Sequence, residues 1–579
     1  MRKPARAASP RMGNLQLFAL IFCAIFLLHA PLLRLPYFWD EAGYYIPAAY
    51  EFFTSGHLIP QSVPSNAHPP LPAMYLALWW KLSAFKPAVT RTAMLLVAAS
   101  ALLAVYRLAR LLSSNAVAFA VVLCTAIYPV WFAQSSLAHS DLPAAAFVLW
   151  GLFFYFRSLP RETSVSAGSN ATASDVSKPL LGSLVAASVF FALGALCKET
   201  AIVSPLALAA YDGVAASRKE KPRESSWYIR PALLVISIVP LSLWFAYHRL
   251  RTGFFFGNPE FFAYNVSGTL TPLRVAISVL LRLWQMLGYM DMWLLTLATI
   301  WAMRYPALTE SDGTERRRIA LGAQYRVAAV LCANLVLFSL VGGAVLARYL
   351  LPTYPLILLI GVATLRRRIP EWKWVVALVI AGFILGLFSN PFGYIPPEDN
   401  LSYRNYVILH KQAADYLQQH DAHVRVLTAW TATDELSKPF LGYVHQPIPV
   451  ARIEDFSAQQ IELARMAGGQ YDVALLFSSK QEPSASFLDR WAWWEHISRK
   501  YFGFHRDLPP EVAARMLGGR IVWERRRGQQ WAAIVSFDQV ENAFFTTEPQ
   551  RAPREAALIE TNFKPPCPPC VRGELIILP

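Results

Sequence analysis

Two adjacent carboxylates, Asp40 and Glu41, lie in the aromatic stretch YFWDEAGYY at residues 37–45, directly after the first apolar run of the chain. A carboxylate can take the proton of a hydroxyl group and so turn a weak nucleophile into an effective one. Aromatic residues are common at a membrane edge, and a simpler interpretation treats both acids as solvated loop charges. We identify the pair as catalytic candidates because further polar residues recur at the ends of later apolar runs.

Two histidines and a third acid occur in the segments that follow. His68 begins the sequence HPP in the same loop as the carboxylate pair, and His139 and Asp141 lie two apolar runs later. An acid at the start of a helix, as predicted for Asp141, more often caps the helix than catalyses a reaction. We include Asp141 with the catalytic candidates, and we assign His68 and His139 to contacting a substrate or holding the loop.

Two isolated cations complete the set. Lys198 lies in a short turn between two apolar runs, and Arg348 with Tyr349 precedes another run. Charges at membrane depth are costly and tend to mark function, although Lys and Arg at the ends of spans also reach the interface for structural reasons. Carboxylates and cations on one face of a membrane can activate a hydroxyl and neutralise a phosphate. Lys198, Arg348 and Tyr349 are therefore the candidates for binding a phosphate.

The composition indicates that these residues are positioned by membrane helices. Hydrophobic residues make up 55% of the 579-residue chain and charged residues only 16%, which is far too apolar for ordinary soluble domains. The net charge of +15 occurs in short clusters between apolar runs. This distribution is a topology signal and argues against a nucleic-acid partner, which would require a basic soluble surface.

Roughly eleven apolar runs before residue 390 are candidates to cross a bilayer, since a spanning helix needs about 20 mainly apolar residues. They lie near residues 14–33, 91–111, 115–133, 142–158, 179–197, 200–213, 231–249, 280–303, 327–346, 349–365 and 373–389. The stretch at 69–85 contains Trp79 and Trp80 and is predicted to lie along the interface as a helix.

Clusters of Lys and Arg predict the orientation, because such clusters in short loops are retained in the cytoplasm. The predicted spans place five clusters on one side, at residues 2–11, 107–110, 218–221, 316–318 and 366–368. The candidate chemistry then faces the extracytoplasmic side. We expect a multi-pass protein of the cell (inner) membrane whose first apolar run is an uncleaved anchor rather than a signal peptide.

The chain is predicted to have two parts: a transmembrane module at residues 1–389 and a soluble extracytoplasmic α/β domain at residues 390–579, where polarity becomes ordinary. The patterns indicate strands near 423–430, 471–477 and 519–538 and helices at 405–419 and 457–467. Near the end of the chain, Cys567 and Cys570 leave open a local disulfide or two free thiols.

The ordered set of motifs resembles glycosyltransferase family 39, which contains protein O-mannosyltransferases and the lipid A aminoarabinose transferase and has the polytopic GT-C fold. The motifs are WDE at 39–41, HPP at 68–70, the turn from Pro129 to Asp141, GALCKE at 194–199 and RYLLPTYP at 348–355, and the resemblance covers residues 14–365. Aminoarabinose transferases often have an acidic residue before the prolines. This chain has Asn66-Ala67-His68, so it is more similar to the mannosyltransferases.

The resemblance implies a membrane glycosyltransferase that moves a sugar from a polyprenyl-phosphate donor to a hydroxyl acceptor, in a protein or in an envelope glycan or lipid, with inversion. A hydroxyl needs a carboxylate to take its proton, and we assign this role to Asp40. We assign the orientation of the loop or the acceptor to Glu41 and the positioning of sugar or acceptor hydroxyls to Asp141. Lys198 and Arg348 would stabilise the leaving phosphate.

Three alternatives and one question about a cofactor stay open. A transporter or flippase for a lipid-linked sugar would need polar or broken helices near the middle of the membrane and related halves. A lipid-linked oligosaccharide ligase would share the carrier and take a longer donor, and a simple anchor for the C-terminal domain would not need so many spans. His68, Glu41 and Asp141 have side chains that could supply ligands to a divalent metal, but the sequence has no close-spaced ligand motif that identifies a cofactor.

Overall fold

The computed structural model describes residues 13–64, 66–160, 181–217, 228–389, 396–420, 424–479, 491–504, 506–537 and 576–577. Within these ranges the chain is mainly helical up to residue 389 and combines helices with strands after it. Cys567 and Cys570 lie outside the described residues, so the disulfide stays a prediction.

The first part of the chain is a bundle of helices. They are α1 (Asn14–His29), α2 (Ile46–Ser55), α3 (Leu71–Leu82), α4 (Pro87–Leu112), α5 (Asn115–Ile127), α6 (Pro129–Gln134), α7 (Asp141–Ser158), α8 (Leu181–Cys197), α9 (Val203–Ser217), α10 (Ile229–Ile236), α11 (Val239–Thr252), α12 (Pro259–Asn265), α13 (Pro272–Leu287), α14 (Met292–Ala302), α15 (Leu321–Leu340), α16 (Tyr354–Arg368) and α17 (Trp372–Phe388).

Six helical stretches in the described ranges are long and apolar enough to cross a bilayer, and α5, α8 and α17 are shorter apolar helices. The six are Asn14–Leu32, Pro87–Leu112, Glu199–Ser217, Ile229–Thr252, Pro272–Ala302 and Leu321–Leu340. At 12 residues, α3 is too short to span, since a crossing needs about 20. The helices agree with a multi-pass membrane protein, while the count of eleven spans stays a prediction.

Two predicted spans differ from the helices in the structure. The run at 115–133 is broken between α5 and α6, where Tyr128 has an extended ψ of 124° because it precedes Pro129, which disfavours the helical conformation of the residue before it. The run expected from residue 280 begins at Pro272 instead. It turns sharply at Met290 and Asp291, which have positive φ values of 49° and 64°.

The helix directions place the candidate residues at one end of the bundle and arginine residues at the other. Helix α4 begins near Glu41, which Arg91 contacts, and runs to Arg107, whose Nη1 donates to Asn14 at the start of α1 over 2.9 Å. Helix α7 begins at Asp141 and runs in the same direction as α4. We call these two ends the Asp40 end and the arginine end.

The C-terminal part forms one sheet with helices packed against it. Its helices are α18 (Ser402–His420), α19 (Ala432–Ser437), α20 (Ala458–Met466), α21 (Ala492–Phe502) and α22 (Pro510–Leu517), and its strands are β1 (Val426–Ala429), β2 (Val450–Ile453), β3 (Val473–Phe477), β4 (Arg520–Arg527), β5 (Gln530–Ser536) and β6 (Ile576–Ile577). The strand order is β4-β5-β3-β1-β2-β6. Strand β1 is parallel to β2 and β3, and the other pairs are antiparallel.

The central strands of this sheet are almost entirely buried, as all residues of β1 and β3 are. Strands covered on both faces have continuous apolar sequences, which is the pattern that indicated strands near 423–430 and 471–477. The pair β4 and β5 corresponds to the strands indicated near 519–538.

The C-terminal part packs directly on the loop that contains Asp40. The hydroxyl of Tyr443 donates to the carbonyl of Tyr37 over 2.9 Å, and the Trp430 ring lies against Gly43. A Cβ atom at Gly43 would fall 2.4 Å from the Trp430 ring, so only glycine allows this approach without moving the tryptophan. The polar C-terminal part therefore helps to hold the candidate site.

Candidate functional site

The loop with Asp40 has an unusual backbone that tertiary contacts hold in place. Trp39 has a positive φ of 41°, and the residues after Asp40 form a short π-helix, Glu41–Tyr45, that leads into α2. The Trp39 ring packs against Tyr406 and Trp430, with ring centroids 5.5 Å and 5.4 Å away. Left-handed backbone at a non-glycine residue is costly and persists where the surroundings enforce it, often at functional sites.

Arg348 is the centre of the candidate site and lies on the short turn before α16, with its side chain only 3% exposed. Its guanidinium group donates hydrogen bonds to Asp40 and to Glu398. Its Nε lies 3.5 Å from Oδ2 of Asp141, and its Nη1 lies 3.2 Å from Nδ1 of His139. Four side chains from three separate segments of the chain thus meet around one buried cation.

Lys198 joins this cluster through Asp141. Its Nζ donates to Oδ1 of Asp141 over 2.5 Å and lies 4.2 Å from the centre of the Tyr349 ring, a favourable cation–π distance. Asp141 is the first residue of α7, yet its carboxylate is turned to Lys198 and Arg348. The structure therefore brings the predicted phosphate-binding residues Lys198, Arg348 and Tyr349 together with Asp40 and Asp141, two of the predicted catalytic residues.

Glu41 faces away from this cluster and has both carboxylate oxygens occupied. Oε1 accepts from the backbone N–H of Ala138 over 2.6 Å, and Oε2 accepts from that of Phe38 over 2.8 Å. Arg91 donates to each oxygen over 3.2 Å, and both side chains are completely buried. These contacts occupy the carboxylate lone pairs that a metal ion or the proton of an acceptor would need. They agree with the predicted role of Glu41 in orienting the loop and argue against the predicted metal ligand.

The two predicted histidines have different surroundings. His68 pairs with Glu199, with 2.9 Å between Nδ1 and Oε2, and its side chain forms no ion pair with Glu41 in the described part of the chain. His139 lies inside the cluster, with Nδ1 2.8 Å from Oε1 of Gln134. Burial, with a smaller contribution from Arg348, lowers the pKa of His139 well below its usual value. The neutral imidazole can donate from Nδ1 to Oε1 of Gln134, and it adds no further positive charge beside Arg348.

The residues that could hold a metal differ from those expected. Asp40, His139 and Glu398 each place one ligand atom within 4.8 Å of the others, whereas the predicted pair of His68 and Glu41 is not brought together. Arg348 contacts all three members of the first group. The guanidinium group already supplies a positive charge at this place, so a divalent ion would have to displace it.

Glu398 and Arg91 belong to the site region and were missed in the sequence. Glu398 follows the last apolar run in the segment IPPED, and Arg91 lies at the start of a long one. The sequence contains a pattern that could have indicated each residue. Glu398 and Asp399 are two adjacent acids after an apolar run, as Asp40 and Glu41 are. Arg91 is a lone arginine in an apolar run, where a buried partner is expected.

Burial also affects the acid next to Glu398. It raises the pKa of Asp399 to about 7, although the Tyr289 hydroxyl opposes the shift by donating a hydrogen bond over 2.7 Å. Burial likewise raises the pKa of Glu398, with Arg348 opposing the shift. Both carboxyls therefore bind protons more tightly in the folded protein than in the unfolded chain.

The tighter binding of its proton predicts that Asp399 contributes less to stability as the pH rises from about 4 to about 7. Unfolded Asp399 loses its proton near 3.8, whereas the folded protein keeps it up to about 7, so this proton lowers the free energy of unfolding by up to about 1.4 kcal/mol per pH unit. The lowered pKa of His139 acts in the opposite direction below its usual value of 6.5. Asp399→Asn is therefore expected to raise Tm relative to wild type more at pH 7 than at pH 4 in detergent. An equal difference in Tm at the two pH values would contradict the assignment.

Two cavities border the cluster. The Lys198 cavity is lined by Lys198, Asp141 and Tyr349, by apolar residues of α7 such as Val148, and by Phe338 and the polar Asn334 of α15. The His68 cavity is lined by side chains that include Tyr44, Tyr45, His68 and Ser140. Asp141 borders one cavity and its chain neighbour Ser140 borders the other, so both cavities meet the same end of α7.

Comparison with known proteins gives one family match and several similar structures. Residues 67–244 match the family model described as dolichyl-phosphate-mannose-protein mannosyltransferase. The structure of ArnT from Cupriavidus metallidurans bound to undecaprenyl phosphate is 16% identical, covers 90% of this chain and 97% of that chain, and has a TM-score of 0.50. No curated protein sequence matches the chain significantly.

Two further structures give lower scores. The oligosaccharyltransferase AglB from Archaeoglobus fulgidus, in complex with an inhibitory peptide and a dolichol-phosphate, is 10% identical over 90% of this chain and 74% of that chain, with a TM-score of 0.43. The mycobacterial arabinofuranosyltransferase AftD is 14% identical over 89% of this chain and 41% of that chain, with a TM-score of 0.39. The family match and the ArnT structure confirm the predicted resemblance and the GT-C fold.

Proposed function

We propose that this GT-C glycosyltransferase, whose class rests on the family match over residues 67–244 and on its fold, transfers a sugar from a polyprenyl-phosphate donor to a hydroxyl acceptor at the Asp40 end. The observation that supports the proposal most directly is the meeting of Asp40, Asp141 and Lys198 around Arg348. This arrangement supplies a carboxylate for a hydroxyl proton and two cations for a phosphate.

The Lys198 cavity suits the donor. A polyprenyl phosphate combines one anionic headgroup with a long apolar tail. The cavity combines the Lys198 ammonium group with apolar walls from α7 and α15, and the Arg348 guanidinium group is linked to Lys198 through Asp141. Charge-assisted hydrogen bonds to phosphate are among the strongest polar contacts in proteins. We assign the headgroup to Lys198 and Arg348, and the first isoprene units to the apolar wall.

The reaction is a displacement at the anomeric carbon. The acceptor oxygen forms a bond to this carbon, the bond to the phosphate oxygen breaks, and the configuration inverts. Asp40 accepts the hydroxyl proton, and Lys198 and Arg348 stabilise the charge that collects on the phosphate. Asp141 positions Lys198, with which it forms a buried ion pair, and Glu41 positions the loop through Arg91.

The acceptor and the orientation belong to the same proposal. We assign the acceptor, a hydroxyl of a protein or of an envelope glycan or lipid, to the His68 cavity, which borders Ser140. The arginine clusters favour a cytoplasmic arginine end, which places the Asp40 end on the outer face of the inner membrane. With eleven spans before residue 390, the C-terminal sheet lies on that outer face as a soluble domain.

The proposal predicts that Lys198→Met weakens donor binding by about 10- to 100-fold, because a hydrogen bond to a charged group contributes about 1.5–3 kcal/mol. The measurement is binding and turnover of radiolabelled undecaprenyl-phosphate sugars by the purified full-length protein. The double variant with Asp141→Asn removes both buried charges and tests the loss with less strain on the fold. Lys411→Met, on α18 and paired with Asp415, is the matched control.

Two results would contradict the proposed function. Donor binding by Lys198→Met at the wild-type level would exclude the phosphate assignment. Movement of labelled lipid across vesicles without cleavage of the sugar–phosphate bond would favour a flippase.

A further inference from the structure

Glu398 contributes a buried carboxylate to the site from outside the helix bundle. It lies on the short turn Pro397–Asp399 between α17 and α18, and the residue is only 4% exposed. One carboxylate oxygen, Oε2, pairs with Nη1 of Arg348. The other, Oε1, is buried and has no hydrogen-bond partner in the described part of the chain. A buried carboxylate with a single partner is costly to keep.

The terminal nitrogens of Arg348 are already occupied. The carboxyl groups of Asp40, Asp141 and Glu398 surround the cations Arg348 and Lys198, and all five side chains are buried or largely buried. Nη1 of Arg348 is bonded to Glu398 and Nη2 to Asp40. A donor phosphate that binds this guanidinium group must therefore take the place of one of the carboxyl groups, and repulsion between like charges where water is excluded favours that exchange.

The ion pairs indicate which carboxylate is replaced. Asp141 is held by Lys198 as well as by Arg348, and Asp40 is needed for the acceptor proton under the proposed function. The Glu398 side chain pairs only with Arg348 among the described residues. If Glu398 leaves Arg348, no other ion pair is broken and Asp40 is still available to accept the proton. Glu398 is therefore the carboxylate that the phosphate replaces.

We propose that Glu398 is a positioning residue that holds Arg348 while the donor is absent and releases it to the donor phosphate. The inference rests on the proposed function, because it takes Arg348 as a phosphate ligand. Without the donor, Arg348 would be a buried cation with one partner fewer, which would destabilise the protein. The Glu398 carboxylate supplies that partner. The same carboxylate competes with the phosphate and so favours release of the polyprenyl phosphate product.

The test is the affinity of the purified full-length protein for undecaprenyl phosphate in detergent. Glu398→Gln is expected to bind it at least about tenfold tighter than wild type, because it removes a competing charge at a charge-assisted contact. With labelled donor, the same variant is expected to lower KM and kcat together, since the product leaves more slowly. A merely structural role predicts the opposite sign, namely weaker binding.

A second variant keeps the test decisive if Glu398→Gln does not fold. Glu398→Asp retains the charge but shortens the reach to Arg348, so affinity is expected to change in the same direction by a smaller factor. Asp212→Asn is the matched control, because Asp212 is also a buried carboxylate paired with an arginine, Arg326, but lies at the arginine end. Its affinity for undecaprenyl phosphate is expected to equal that of wild type.

Arg348→Gln separates failure of this inference from failure of the proposed function. If Arg348→Gln binds undecaprenyl phosphate as wild type does, the phosphate assignment itself is wrong. If Arg348→Gln loses binding while both Glu398 variants bind equally or more weakly than wild type, the role of Glu398 is overturned and the proposed function stands.

Discussion

Asp40→Asn is expected to reduce sugar transfer by about 10²–10⁴-fold, the usual contribution of a positioned general base, without loss of folding or of donor binding. Asparagine has nearly the same shape but cannot accept the proton of the acceptor hydroxyl. The Asp40 side chain is 21% exposed, whereas that of Glu41 is fully buried, so only Asp40 of this pair is within reach of a hydroxyl. The measurement is the initial transfer rate with labelled donor, together with Tm.

The control for this prediction is Asp415→Asn, a carboxylate on α18 that pairs with Lys411 and has no contact with the cluster in the described structure. Its transfer rate is expected to match that of wild type. Transfer by Asp40→Asn at more than a tenth of the wild-type rate would remove Asp40 from the role of base.

The second large effect concerns stability. Glu41→Ala and Arg91→Ala are each expected to destabilise the protein by about 3–5 kcal/mol, because removal of one partner leaves a buried charge uncompensated. Glu41 also accepts two backbone hydrogen bonds, from Phe38 and Ala138, which would lose their acceptor. The measurement is thermal unfolding of the purified protein in detergent. The double variant Glu41→Leu with Arg91→Leu is expected to recover part of the loss, because no charge stays buried.

The same experiment decides between two roles for Glu41. If Glu41 orients the loop, Glu41→Gln lowers Tm, and the transfer rate per folded molecule falls far less than in Asp40→Asn. If Glu41 were the base, Glu41→Gln would keep its Tm and lose transfer by the factor expected for Asp40. The second pattern would contradict the structural assignment.

Hydropathy and the spacing of apolar runs predicted a multi-pass membrane protein, because both depend only on neighbouring residues. The sequence also predicted Asp40, Asp141, Lys198 and Arg348 as site residues. These four residues lie in alternate loops between the predicted spans, and alternate loops fall on the same side of a bilayer. The motifs of a resembling family then supplied the kind of chemistry.

The two carboxylates of the WDE motif were predicted to have different roles, and the fold supplies the physical reason. Asp40 and Glu41 are adjacent and have the same chemistry, so their local sequence gives no physical ground for separating them. In the folded chain the π-helix turns Glu41 inward to Arg91, 50 residues away, and Asp40 toward Arg348, 308 residues away. The proposed catalytic and positioning roles rest on these distant partners.

Dependence on distant partners also explains why the sequence did not indicate Glu398. It explains too why His68 and Glu41, the predicted metal ligands, are not brought together. Glu398 reaches Arg348 because the turn after the last apolar helix packs against α6, where Gln134 binds the Glu398 carbonyl over 3.2 Å. His68 and Glu41 share one loop but pair with Glu199 and Arg91 on different helices. Which charges neutralise each other in a buried site depends on how separate segments pack, and spacing along the chain does not contain that information.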